Sequence, residues 1–183
     1  FYHEWFMNRI RAGECVVGNP FNPAQMVRVS LAPEDVDVIV FWTRDPRPLL
    51  PSLAELDARG YRYYFQFTLT GYPAALEPGL PPRAELIEAF RTLADHVGPQ
   101  RIIWRYDPIV RSNLTDDAFH ARNFAEIATA LAGATQRAMV SLLDPYPKTT
   151  RRFRRLAADG VHIQEISEVD AALGALLREL AAT

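Results

Sequence analysis

Hydrophobic positions near the start of the chain fall into a helical rhythm at Trp5, Phe6 and Ile10, with a stop at Gly13. That spacing predicts a short helix with those three side chains on its core face. The period then shortens: Cys15-Val-Val17 and Met26-Val-Arg-Val-Ser-Leu31 read as two short strands, and the Asn-Pro steps in Gly18-Asn-Pro-Phe-Asn-Pro23 as the turn between them. The hairpin is expected to be structural, the alternative being a loop over the mouth of a site.

After Pro33-Glu-Asp35 one pattern recurs: a buried apolar strand, a polar ending, proline, then an amphipathic helix. It predicts strands over 36–43, 61–70, 101–106, 137–143 and 161–166. Helices are predicted over 52–59, 83–97, 116–131, 148–159 and 167–182, each inner one followed by glycine. Strands returning every ~30 residues with helices between them indicate parallel βαβ units. No glycine-rich phosphate-binding motif marks a reversal of strand order, so the expected fold is α/β, a partial (β/α) barrel that is TIM-barrel-like. It carries at least five parallel strands and an extra N-terminal hairpin in one domain over 1–183. Since a closed barrel of this type has eight strands in about 250 residues, a further strand before Phe1 and others after Thr183 are expected.

Composition narrows the class. With 183 residues, 49% hydrophobic and 23% charged, the chain can bury a core without cross-links. Its net charge of -2 argues against a nucleic-acid partner, and no apolar run approaches the ~20 residues of a membrane helix. The single cysteine, Cys15, excludes a disulfide framework and any cysteine-built zinc or iron-sulfur site within the chain, which fits a cytoplasmic setting. His3, His96, His120 and His162 are isolated, so no metal site is expected.

Chemistry concentrates where strands end. The endings are Thr43-Arg-Asp-Pro46, Thr68-Leu-Thr-Gly-Tyr-Pro73, Arg105-Tyr-Asp-Pro108 and Ser141-Leu-Leu-Asp-Pro145. Asp-Pro can simply cap a turn. Within 101–106, however, Ile102, Ile103 and Trp104 read as buried strand, which leaves Arg105 and Asp107 as charges on one face near its C-terminal end, where parallel α/β folds build their sites. Gln66, Thr68 and Thr70 share one face of their own strand by the same parity. Arg105, Asp107 and Asp45 are therefore the candidate catalytic residues. Arg44, Thr43, Gln66, Thr68, Thr70, Tyr72, Ser141 and Asp144 are the candidate substrate contacts, gathered round a wet cavity with a small-molecule substrate. The competing reading is an Arg105–Asp107 ion pair that only satisfies itself. Asn113-Leu-Thr115 reads as Thr115 capping the following helix, and Arg151, Arg152, Arg154 and Arg155 as a basic helix rim whose first turn could reach an anion at the mouth.

Phe41-Trp-Thr-Arg-Asp-Pro46, Tyr64-Phe-Gln-Phe-Thr-Leu-Thr-Gly-Tyr72, Ile103-Trp-Arg-Tyr-Asp-Pro-Ile-Val110 and Asn19-Pro-Phe-Asn-Pro23 together resemble the bacterial family known as domain of unknown function 1848. The resemblance covers nearly the whole chain. It implies a protein with an upstream Arg-Arg-Thr-Asp-like strand ending and a downstream cysteine cluster like that of radical S-adenosylmethionine enzymes, neither of which lies in residues 1–183. A reduced iron-sulfur cluster cleaving S-adenosylmethionine is thus implied for the parent protein. Here Arg44, Asp45, Thr68, Thr70, Arg105, Asp107 and Asp144 would hold the adenosyl group or a small polar or nucleotide-like substrate. A metal-independent hydrolase or lyase using Asp107 and Asp45 as acid and base, and a non-catalytic binding barrel, are the alternatives.

Overall fold

The computed structural model of the chain describes residues 2–144, 147–166 and 168–183. Helix α1 (His3–Ala12) ends where Gly13 takes a positive φ of 71°. Strands β1 (Glu14–Asn19) and β2 (Asn22–Ser30) form an antiparallel hairpin separate from the main sheet. Strands β3 (Ile39–Thr43), β4 (Tyr63–Thr68), β5 (Ile102–Ile109) and β6 (Ala138–Leu142) then make one parallel sheet in sequential order. Helices α2 (Leu53–Ala58), α3 (Arg83–Val97), α4 (Asp117–Ala130), α5 (Pro147–Ala158) and α6 (Ala171–Ala182) complete the described structure.

Side-chain parity decides how the layers assemble. Along β4, Tyr63, Phe65 and Phe67 alternate with Tyr64, Gln66 and Thr68, and along β5 Ile102, Trp104 and Tyr106 alternate with Ile103, Arg105 and Asp107. The aromatic sets turn to the helices. Phe67 lies against Phe90 of α3 with centroids 5.0 Å apart, Trp104 stacks on Phe124 of α4 at 4.5 Å, and Tyr106 meets Phe124 edge-on at 5.2 Å. Phe41 of β3 continues the cluster, stacking on Phe65 at 4.9 Å and meeting Phe6 of α1 edge-on at 5.3 Å. Helix α6 packs on α4 and adds Leu173, Leu176 and Leu180 to the same core. The opposite face has no helix among the described residues, and there Trp42 and Val40 stay exposed.

The sheet is mixed-fold α/β as expected, but it does not close. Four parallel strands are present among the described residues rather than five, because 161–166 is not a strand: Ile163 makes a single antiparallel bridge to Ser112, and the Gln164 amide donates to the Arg111 carbonyl at 2.9 Å. Val161 is buried, but His162, Gln164 and Glu165 are exposed, so the segment lacks the continuous apolar run of a central parallel strand. In α1 the buried pair is Met7 and Ile10, while Trp5 is exposed, which moves the core face one position from the expected one. The cap of α4 also shifts: Asp116 Oδ1 accepts from the Phe119 amide at 2.7 Å, and the Thr115 hydroxyl turns inward to donate to the Val110 carbonyl at 2.6 Å. The last helix begins after the Asp170 cap, later than expected, and the expected start at Ser167 lies outside the described residues, as does Pro145 of the third Asp-Pro step.

Two substitutions separate these contributions to stability. Phe124→Ala empties the space between Trp104 and Tyr106 and is expected to cost about 3–5 kcal/mol in urea unfolding. Asp116→Ala removes only a cap and should cost about 1 kcal/mol; equal losses would mean that Phe124 is not central to the core.

Candidate functional site

The C-terminal ends of the four parallel strands form one rim, and the uncovered face just below it carries the charged groups. Register sets the layers: Trp42 is level with Gln66 and Gln66 with Ile103, while Thr68 is level with Arg105 and Arg105 with Met139. From β5 the Arg105 side chain reaches across β4 until its guanidinium lies 4.5 Å from the centre of the Trp42 ring. Nη2 of Arg105 is paired with Asp107 Oδ2, and the Ser141 hydroxyl donates to the other carboxylate oxygen. Both charged side chains are largely buried, at 15% and 13% exposure. Arg105 Nε is buried with no acceptor, the one such atom on this face among the described residues.

A second pair lies along the same rim. Glu77, on the loop between β4 and α3, accepts from Arg44 and from the Thr70 hydroxyl and is 12% exposed. The same loop touches the other rim segments. The Tyr72 hydroxyl donates to the Pro108 carbonyl at 2.7 Å and accepts from the Val110 amide at 3.1 Å, while Arg152 of α5 donates to the Leu76 carbonyl at 2.7 Å. Burial raises the Tyr72 pKa well above its ordinary value, so the phenol keeps its proton. The loop departs from β4 through Gly71 at φ 64°, where an added Cβ would sit 2.8 Å from Asn123 Oδ1.

Behind the rim, on the helix side, runs a buried polar chain. Asn123 Nδ2 donates to the Thr70 carbonyl at 2.6 Å and to the Tyr106 hydroxyl at 3.0 Å, and Arg83 donates to Asn123 Oδ1 at 3.0 Å. His120 contacts the Tyr106 hydroxyl through Nδ1 and the Val110 carbonyl through Nε2, both at 3.0 Å. The consistent assignment has Nε2–H donating to Val110 and Nδ1 accepting from Tyr106. Burial pushes the Tyr106 phenol up to about 12 and lowers the His120 pKa. These groups anchor the ends of β4 and β5 without facing the open side.

The sequence-derived candidates therefore separate. Arg105, Asp107, Ser141, Gln66 and Thr68 come together on the uncovered face, with Arg44 and Thr70 tied to Glu77 beside them. Thr43 differs from expectation: paired with Phe67, it lies on the helix-covered side, because parity gives the open side to Trp42. Its hydroxyl accepts from the Asp45 amide at 3.0 Å. Asp45 is clamped by Arg47 through Nε at 2.8 Å and Nη2 at 2.7 Å, a hydrogen-bonded pair that holds its carboxyl below the usual range and leaves it ionised. Tyr72 spends its hydroxyl on backbone, and Asp144 is exposed just past β6. Sequence reasoning missed Trp42 and Glu77. The alternation Val38, Val40, Trp42 against Ile39, Phe41, Thr43 could have shown the first, whereas Glu77 lies in a loop with no periodicity to read.

An iron-sulfur cluster needs several thiolate ligands. Cys15 is the one cysteine, it lies on β1 in the hairpin, and no group of three His, Cys, Asp or Glu among the described residues is arranged to hold a metal ion. Residues 1–183 do not fit such a cluster, and no chemistry of the rim is routed through one.

The buried imidazole makes the rim acid-sensitive. Because the folded pKa of His120 lies below its unfolded value of about 6.5, the unfolded chain binds the extra proton between those two values, so stability is full above about 6.5 and falls with pH below it. In urea unfolding, wild type should lose stability between pH 6.5 and 5 more steeply than His120→Gln, by up to about 1.4 kcal/mol per pH unit. Equal slopes would show that His120 does not resist protonation.

Comparison with known proteins places the chain. No curated protein and no solved structure matches it. A family model does, over residues 1–183, and the chain belongs to the family described as Domain of unknown function (DUF1848).

Proposed function

We propose that the uncovered face of the sheet, at its C-terminal rim, is the substrate site of an enzyme domain acting on a small polar molecule. The observation that carries this reading is the Arg105–Asp107–Ser141 group, with Arg105 Nε buried and unpartnered. A buried donor left without an acceptor costs roughly 1–3 kcal/mol, and a pair retained only for folding would satisfy itself more completely. Arg11, Arg47 and Arg111 do so, each committing both Nε and Nη2 to one carboxylate, whereas Arg105, like Arg9 of α1, leaves Nε unpaired. In Arg105 the Asp107 pair uses Nη2 alone and leaves Nε without a partner.

The chemistry that follows is recognition by adjacent opposite charges. Asp107 retains lone pairs for a ligand hydroxyl or amino group, the Arg105 guanidinium offers its positive charge to a carboxylate or carbonyl, and Thr68 and Gln66 supply neutral hydrogen-bonding groups between them. A substrate with a donor next to an acceptor, such as a hydroxy acid, an amino acid or a sugar, matches this arrangement. Asp45 is less suited to act as an acid, since Arg47 keeps it ionised. Closure of the sheet into a barrel by further strands would turn the same face into a lumen, in keeping with the family resemblance. The implied radical chemistry would need a cluster held by residues other than these.

A melting-temperature screen against sugars, hydroxy acids and amino acids at millimolar concentration tests the reading. At least one compound should stabilise the wild type, and Asp107→Asn and Arg105→Met should melt near the wild-type temperature but lose that stabilisation. Stabilisation that survives in both variants, or no stabilisation by any compound, would overturn the site.

A further inference from the structure

Helix α5 is packed differently from the other helices of the chain. Each of those buries apolar side chains, among them Ile10 of α1, Leu53 of α2, Phe90 of α3, Phe124 of α4 and Leu176 of α6. From 149 to 158 α5 buries none, and Phe153 and Leu156 on its inner side reach only half-burial. The outer side is cationic. Arg151, Arg154 and Arg155 are exposed, and the last two follow the first by three and four positions, which brings both within about 5–6 Å of it on one face. None of the three forms an ion pair among the described residues, although Arg11, Arg28, Arg44, Arg47, Arg59 and Arg83 all reach a carboxylate. No acidic residue interrupts the helix between Pro147 and Ala158, and like charges at this spacing weaken it. Arg152 is committed elsewhere: it donates to the Leu76 carbonyl at 2.7 Å and fastens α5 to the rim loop.

From this geometry we infer that the outer face of α5 is a docking surface for an acidic segment of a protein partner, a helix whose carboxylates recur every three to four residues. The surface is independent of the rim site proposed above. Charge complementarity names the occupant: α5 has 12 residues and is about 18 Å long, so a short acidic helix laid along it sets carboxylates opposite all three guanidiniums and ends where they end. A nucleic acid fits less well. Its phosphates would run on past α5 over a chain whose net charge is -2 even with these arginines counted, and no aromatic side chain stands beside them on the outer face to stack a base. A lipid surface fits less well too, because a membrane-binding helix turns its apolar residues to the bilayer and Phe153 and Leu156 are turned inward.

The probes are two alanine-rich peptides of about three helical turns with the same number of glutamates, placed on a single face in one and spread round the helix in the other. Their binding to the 183-residue chain would be read by fluorescence anisotropy at ~50 and ~200 mM salt. Docking on α5 predicts that the one-face peptide binds roughly tenfold tighter than the other at the lower salt and weakens at the higher. Arg151→Gln/Arg154→Gln/Arg155→Gln should remove that preference. Arg62→Gln/Arg122→Gln/Arg178→Gln, which subtracts the same charge from exposed positions elsewhere, should keep it. Arg151→Lys/Arg154→Lys/Arg155→Lys retains the charge and should retain most of the binding, which separates loss of charge from loss of the helix. Equal binding of the two peptides, equal losses in the two glutamine variants, or no binding of the one-face peptide would overturn the docking surface. Tighter binding of an oligothymidylate, or of vesicles containing phosphatidylglycerol, would overturn the acidic protein partner in favour of a nucleic acid or a membrane.

Discussion

The stacking of Trp104 on Phe124, and of Phe67 against Phe90, fixes which side of the parallel sheet is buried. Everything at the rim follows from that choice. Because β4 and β5 present their aromatic residues to α3 and α4, strand parity sends Gln66, Thr68, Arg105 and Asp107 to the opposite face. A sequential strand order with helices on one side is what right-handed crossovers produce, and it leaves the second face for ligands or further strands. Polar groups there are not packing errors, because that face was never committed to the core.

A single loop holds the rim in register. Between β4 and α3 the chain uses Tyr72 to fasten the turn after β5, Glu77 to fasten Arg44 after β3, and the Leu76 carbonyl to receive Arg152 from α5. Gly71 allows the sharp exit, and Asn123 holds the Thr70 carbonyl from the helix side. Side chains presented from strand ends and braced by such contacts are placed more firmly than a flexible loop would place them. The rim is therefore built as a fixed surface, with the acid-sensitive His120–Tyr106 contact at its back.

Much of this was legible in the residues. The strand and helix pattern from Ile39 to Ala130, the hairpin, and the placing of Arg105 and Asp107 opposite Trp104 and Tyr106 all follow from periods of two and 3.6. What could not be read depended on pairing between distant segments. Residues 161–166 look like a strand locally but bind Ser112 and Arg111 through isolated contacts, and closure of a barrel is a property of edges that no local pattern reports. Thr43 stands at a strand end like the other candidates, but parity sets it beside Phe67 on the helix side and gives the open face to Trp42. Glu77 and the Asp45–Arg47 clamp lie in irregular loops, where partners are set by tertiary contact alone.

Charge on the uncovered face is the central feature, and its cost shows what it is for. A buried pair kept for folding loses about 3–5 kcal/mol when one partner is removed, and replacing both by apolar residues is often neutral or stabilising. The direct measurement is chemical unfolding of Asp107→Asn together with calorimetric titration of the sugar, hydroxy acid or amino acid that stabilises the wild type in the thermal screen. A substrate site predicts stability near wild type with ligand binding abolished. Loss of several kcal/mol of stability with binding retained by the folded fraction would contradict it and return the pair to a purely structural role.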